Sequence, residues 1–399
     1  MKKAFILFPT SLFKVEYFPK DIFINDQDKQ KGEEIIFYLV EDPVFFGYRE
    51  KKMNFNQLKL VLHRASMRHY YDYLRKELSG IAKVKYIDFE KAKKGEVIDR
   101  EPGFTEIHLF DPVDHLLLEK VKKMATYYQV QLKIHPTPNF ITPLEDLEQY
   151  ALGKKKYFHH HFYEWQKKRI GILDGIKSRD NENRQPPPRE GILIPDLPDN
   201  PDLQLKYLVQ AKKYVKKYFG KNYGNVEDFI YPITHQTSEK WFIHFLEHRF
   251  QHFGKYQDAI IPDEPFMFHS VISPMLNIGL LNPQWIVDQL TKYYRAKRIP
   301  VNSYEGFIRQ IIGWREYSRF LYMEFSCDSY DWVMVNNIYS MALYADGELN
   351  MQKPYLGASN YILKMSNYQK DGHWEEIWNA LNYFFYMLRK MRQRRLKWQ

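Results

Sequence analysis

Within the first 135 residues, five short runs rich in β-branched and aromatic residues alternate with longer amphipathic stretches. The runs are Ala4–Phe8, Glu34–Val40, Val84–Asp88, Glu106–Phe110 and Gln131–His135. Between the second and third, residues 56–78 set Leu58, Leu60, Val61, Leu62, Met67 and Leu74 where a helix buries one face, and 111–128 reads as another helix. Strand–helix–strand order requires a parallel sheet covered by helices, because parallel neighbours need a crossover connection. The opening Met1-Lys2-Lys3-Ala4-Phe5-Ile6-Leu7-Phe8-Pro9 has too short an apolar stretch for a signal peptide and is broken by Pro9 and Lys14. It is read as the first strand.

Proline then marks a change. Pro136, Pro138 and Pro143 open a stretch that Pro186-Pro187-Pro188, Pro195, Pro198 and Pro201 close, and proline at that density favours extended connector. A charged helix is expected inside it, over 153–173. From residue 203 onward the pattern is helical, with candidate helices at 203–219, 237–252, 265–280, 284–295, 303–323, 329–344, 356–367 and 374–397. The expected architecture is an α/β parallel-sheet domain over 1–135, a long Pro-rich connector over 136–205, and an all-α C-terminal domain over 206–399.

Charge and cysteine usage narrow the chemistry. A net charge of +10 favours an acidic partner such as DNA, although a basic chain is also simply soluble. No run of about 18 uncharged apolar residues occurs, so no membrane span is expected and a soluble intracellular protein is. Cys327 is the only cysteine, which excludes an intrachain disulfide, a thiolate zinc site and a cysteine-held iron–sulfur cluster. His159-His160-His161 invites a metal reading, but adjacent helical residues point in different directions, so surface histidines are expected. Basic residues crowd the end of 374–397, where they complement the helix dipole or touch phosphate. No Gly-rich phosphate loop, G-x-S-x-G elbow or H-E-x-x-H pair is present.

Two denser blocks remain. His269-Ser270-Val271-Ile272-Ser273-Pro274-Met275-Leu276-Asn277-Ile278-Gly279-Leu280-Leu281 combines hydroxyls with an apolar helical face, and Tyr304–Tyr317 contains Trp314-Arg315-Glu316-Tyr317. Hydroxyls and amides at a helix start can hold a diphosphate, a nearby arginine adds a charge-assisted contact, and a tryptophan offers a flat surface for a ring system. Ser270 and Ser273 suit helix caps equally well, and Trp314 suits a core.

These blocks resemble the "T-S-x-L-S-P-x-L-x-x-G-x-L" and "W-R-E-F/Y" segments of the photolyase/cryptochrome family. More narrowly, Tyr304–Tyr317, Asn181-Glu182-Asn183-Arg184, Asp328–Asn337, Tyr344-Ala345-Asp346-Gly347 and Lys353-Pro354-Tyr355 through Ser366 are similar to its prokaryotic iron–sulfur branch. Phe8–Phe13, Val40-Glu41-Asp42-Pro43 and Leu62–Met67 extend the likeness over the front half, so nearly the whole chain is covered in the family's order. The resemblance implies an antenna-type α/β domain, a connector and a helical FAD-binding domain. It also implies blue-light electron transfer from FAD to a flipped-out pyrimidine lesion in DNA, or light sensing. Ser270, Ser273, Trp314, Arg315 and Asn337 would contact FAD, while the catalytic residues stay unassigned. An antenna chromophore is open at the sheet's C-terminal edge, where Glu41 is the candidate by position or else a solvated strand-end residue.

The sequence also departs from the family. It passes from Trp314–Tyr322 to Ser326–Trp332 with few residues between, where members carry a long helical stretch with paired histidines and the first cluster cysteine. This implies an internal truncation between about 322 and 328. The places of the remaining cluster cysteines fall at or near Gln369, Gly372 and Glu376, so no iron–sulfur cluster is expected, and Met334 stands where the family has an acid beside the flavin. The alternative function is therefore a non-catalytic DNA- or protein-binding derivative lacking functional FAD.

Overall fold

A computed structural model describes residues 2–23, 34–47, 55–98, 103–154, 157–186, 192–259, 261, 264–297 and 299–325. The expected helices at 329–344, 356–367 and 374–397 lie outside those residues, as do Cys327, Met334 and Asn337. The elements in chain order are β1 (Lys2–Leu7), β2 (Glu34–Val40), α1 (Pro43–Phe46), α2 (Gln57–Glu77), β3 (Lys83–Ile87), α3 (Phe89–Lys93), β4 (Phe104–Phe110), α4 (His115–Tyr128) and β5 (Gln131–His135). They continue through α5 (Leu144–Ala151), α6 (His159–Ile170), α7 (Lys206–Phe219), α8 (His235–His248), α9 (Phe250–Tyr256), α10 (Ser273–Asn277), α11 (Pro283–Lys297) and α12 (Val301–Ile308). A π-helical turn over Arg309–Arg315 then leads into α13 (Glu316–Phe325). The described residues divide into two compact units: those within Met1–Glu148, Leu197–His244 and Ile272–Gln289, and those within Gln149–Asp196, Phe245–Val271 and from Leu290 on.

The first unit is built on the expected sheet. Five parallel strands run in the order β3-β2-β1-β4-β5, and the central strands β1 and β2 are apolar and buried along most of their length. An acid follows three of the strands and caps the next helix. Asp42 accepts from Val44 N (3.1 Å), Asp88 from Lys91 N (3.1 Å) and Asp114 from Leu117 N (2.9 Å). Phe5 sits at the centre of an aromatic cluster, 5.3 Å from Phe37 and 5.2 Å from Phe110, with Phe18 at 5.4 Å laid over it.

The segment that carries Phe13 and Phe18 is pinned from two sides. Leu12 N donates to Ile278 O (3.0 Å), and His235 Nε2 donates to Leu12 O (2.7 Å). At Gly279, with φ +87°, a Cβ would lie 2.7 Å from the Phe13 ring, so only glycine fits. Burial, with Lys14 nearby, depresses the pKa of His235 to about 4. Because the folded value lies below the unfolded one, this contribution is complete above about pH 6.5 and is lost as pH falls toward 4, a difference of about 3 kcal/mol. Urea midpoints should therefore drop between neutral pH and about pH 4.5. His235→Gln, which keeps a donor for Leu12, should flatten that dependence; an equal slope in the variant would refute the assignment.

The second unit is helical. Gly254 on α9 approaches the start of α12, where Gly254 N donates to Ser303 Oγ (3.0 Å) and that hydroxyl donates to Gln251 O (3.1 Å). Arg249 is buried, and its guanidinium donates to Pro195 O (2.7 Å) and His269 O (3.4 Å). This arginine interrupts the expected helix over 237–252, which is divided into α8 and α9. The expected helix over 265–280 is also corrected: only Ser273–Asn277 is helical, because Met267 (φ 37°) and Val271 (φ 55°) turn the backbone into the left-handed region.

Candidate functional site

In the helical unit, the chemistry-bearing side chains converge on α12 and the turn that follows it. Glu305 is almost fully buried and accepts from Ser178 Oγ (2.7 Å), Arg179 N (2.9 Å) and Arg309 Nη2 (3.0 Å). Arg309 also donates through Nη1 to Asp180 (2.7 Å), so one guanidinium bridges two carboxylates. Burial works against the charge of Asp180, but Arg309 holds its carboxyl below the usual range. Asn183 Nδ2 donates to Asp180 Oδ1 (3.1 Å), and Asn302 Nδ2 donates to Asn183 Oδ1 (3.1 Å). Asn183 thereby ties Asn181-Glu182-Asn183-Arg184 to the start of α12.

Arg309 opens the π-helical turn, a widened geometry concentrated at functional positions. Gly313 on that turn lies against α6, where a Cβ would stand 3.0 Å from His159 Nε2 and 3.2 Å from the Tyr163 ring. With no side chain there, the His159 ring stacks on Trp314 at 3.7 Å with the planes 9° apart. Burial, aided by Arg309 and His160, depresses the His159 pKa to about 4, so the stacked imidazole is neutral at physiological pH. Tyr317 meets His159 edge-on at 5.5 Å and donates to Tyr157 O (3.0 Å). Trp314 and Arg315 themselves are half-buried neighbours on one turn.

Of the expected flavin contacts, Trp314 and Arg315 are neighbours on one turn. Ser270 belongs to the helical unit and Ser273 to the sheet unit, with the positive φ of Val271 between them, and Asn337 lies outside the described residues. Ser273 begins a helix of five residues whose N-cap, Ile272, makes no side-chain cap bond. One face of Trp314 is taken by His159.

His159 was not expected in this site. Reading the histidine run as three divergent side chains concealed that His159, Phe162, Tyr163 and Gln166 share one helical face, the i, i+3, i+4, i+7 set that packs inward. His160 and His161 are exposed, as expected, and no metal-binding group of histidines, cysteines or acids occurs among the described residues.

Glu41 directly follows β2 at the sheet's C-terminal edge, but it is fully buried rather than solvated. Its Oε2 accepts from Arg64 Nη1 (2.5 Å) and Phe89 N (2.8 Å), and its Oε1 accepts from the Tyr86 hydroxyl. Burial raises its pKa while Arg64 opposes the rise. Arg64 lies 3.5 Å over the Tyr214 ring and Arg68 3.6 Å over Tyr86. Both carboxylate oxygens serve donors of the chain itself.

Among known proteins, the family model described as deoxyribodipyrimidine photo-lyase-related protein matches residues 22–231. A (6-4) photolyase of Agrobacterium fabrum is 24% identical over 430 residues, covering 86% of this chain and 83% of that protein. The uncharacterized protein R852 of Acanthamoeba polyphaga mimivirus is 34% identical over 203 residues, covering 48% of this chain and 97% of that one. Among solved structures, a Synechocystis sp. PCC6803 cryptochrome aligns with TM-score 0.46 and 12% identity over 82% of this chain. A class III photolyase from Agrobacterium tumefaciens aligns with TM-score 0.44 and 13% identity over 89%. The chain spans 62% of the length of each of those two solved chains. No helix among the described residues is long and apolar enough to cross a membrane.

Proposed function

The chain belongs to the deoxyribodipyrimidine photo-lyase-related protein family, and on that premise we propose that it is a DNA-binding member whose helical unit receives an unstacked, damaged pyrimidine beside Trp314. The observation that carries this reading is the half-buried indole, stacked on the His159 ring at 3.7 Å and next in the chain to Arg315. A base that leaves the duplex needs a flat apolar surface to replace its lost stacking, and a damaged base costs least to extrude. A cation beside that surface meets the phosphate of the extruded nucleotide.

The test is the binding of Trp314→Ala to oligonucleotides with and without one ultraviolet photoproduct. Loss of a base–aromatic stack corresponds to about 1–3 kcal/mol, so affinity for the damaged strand should fall about 5- to 100-fold. Affinity for undamaged DNA should change little. Equal losses on both would remove Trp314 from lesion recognition.

A second reading is the FAD-dependent, blue-light-driven repair or light sensing implied by the resemblance, supported by the match to a (6-4) photolyase across most of this chain. An absorption spectrum of the purified protein, before and after heat release of any ligand, separates the two. A near-stoichiometric flavin band would favour light-driven chemistry. A protein that stays colourless with added FAD leaves DNA binding as the function.

A further inference from the structure

We propose that the outer face of α7 is a second nucleic-acid contact, one that grips the phosphate backbone without reading sequence. It goes beyond the Trp314 site because it lies in the sheet unit. Lys206, Lys212, Lys213, Lys216, Lys217 and Lys221 are the only charged residues between Asp202 and Glu227. Leu208, Ala211 and Val215 bury one side of the helix, which lies against α2. The opposite side therefore carries Lys206, Gln210, Lys213 and Lys217, about one residue per turn along about 16 Å of helix.

The lysines of this helix and of the turn after it differ in their partners. Lys212 and Lys216 converge on Glu227, at 3.1 and 2.6 Å, so one carboxylate offsets part of their charge within the fold. Lys213, Lys217 and Lys221 are exposed and have no acidic partner among the described residues. Tyr218, 48% exposed, stands beside them with Lys217 above its ring.

Helix stabilisation accounts for Lys217, which lies in the last turn, but not for the rest of the stripe. Cations help only in the last turn, whereas Lys206 occupies the first helical position, where the dipole opposes it, and Lys213 lies mid-helix. Lys206 is 3.8 Å from Asp72 and 68% exposed, so its charge stays available to solvent. A polyanion of high linear charge density is the partner that such a stripe fits, since each contacted phosphate releases counterions.

The experiment compares the full chain with Lys213→Gln/Lys217→Gln/Lys221→Gln and with Lys212→Gln/Lys216→Gln, after checking that both melt like the parent. Binding of undamaged duplex DNA is followed by anisotropy across a salt series. The triple variant should reduce the slope of log K against log salt by about 2 to 3 and the affinity about tenfold or more. The paired-lysine variant should change the slope by less than about 1. Equal effects of the two variants would reduce the result to net charge and overturn the proposal, as would an unchanged slope in the triple variant. Lysine-dependent binding to phosphatidylserine vesicles without a change in DNA slope would overturn it in favour of a membrane surface. Trp314→Ala should leave this slope unchanged, so failure of the lesion site and failure of this surface are read separately.

Discussion

Replacing Glu305 with alanine is expected to destabilise the helical unit by about 3–5 kcal/mol, the range for removing one partner of a buried ion pair. The carboxylate is 3% exposed and accepts from the Ser178 hydroxyl, the Arg179 amide and the Arg309 guanidinium. All three donors lose their acceptor together. Asp180 still pairs with Arg309 at 2.7 Å, so the arginine keeps one counter-ion and the loss should stay within that range. Arg309 begins the turn that presents Trp314, so the variant should also bind a photoproduct-containing oligonucleotide more weakly than the parent at temperatures where both are folded. Glu305→Gln keeps an oxygen for one donor and should lie between parent and alanine in urea midpoint. If the alanine variant melts within about 1 kcal/mol of the parent, the Glu305 cluster is peripheral and the fold is held elsewhere.

Legibility in the sequence followed the range of the interactions. The strands were readable to within two residues because each is a short run set off by turns and helices, and their parallel order follows from the helices between them. The helix over 265–280 was misread because its apolar spacing is helical, whereas the positive φ of Met267 and Val271 depends on surroundings no local pattern encodes. The carbonyl of His269, two residues before Val271, is held by the buried Arg249, 20 positions earlier and beyond the reach of a helical period. Trp314 and Arg315 could be singled out as a motif, but the ring that backs Trp314 belongs to His159, 155 positions earlier. Glu41 was placed correctly on the sheet edge, yet its burial rests on Arg64, Tyr86 and the Phe89 amide, which a single strand cannot announce. Neighbour patterns in a sequence show faces and periods; they do not show which distant group closes a polar contact.

Gly254 gives that distinction an experimental sign. Alanine within a helix ordinarily stabilises relative to glycine, by about 0.5–1 kcal/mol, through backbone entropy. At Gly254 the opposite is expected. A Cβ there would lie 2.6 Å from the carbonyl carbon and oxygen of Asn302 and from the amide nitrogen of Ser303. These are backbone atoms at the start of α12, so no side-chain rotation relieves the clash. Separating the helices would also break the bond from Gly254 N to Ser303 Oγ and the return bond to Gln251 O. Gly254→Ala should therefore cost about 3 kcal/mol or more, at the upper end for overpacking. Ser303→Ala removes the hydroxyl without adding volume and should cost only about 1–2 kcal/mol, for an amide left without its acceptor. Urea denaturation of both variants decides the matter. A destabilised alanine variant identifies this glycine as the point where α9 and α12 touch backbone to backbone, whereas a stabilised one would mean that the helices are farther apart and α12 is held by the Glu305 cluster alone.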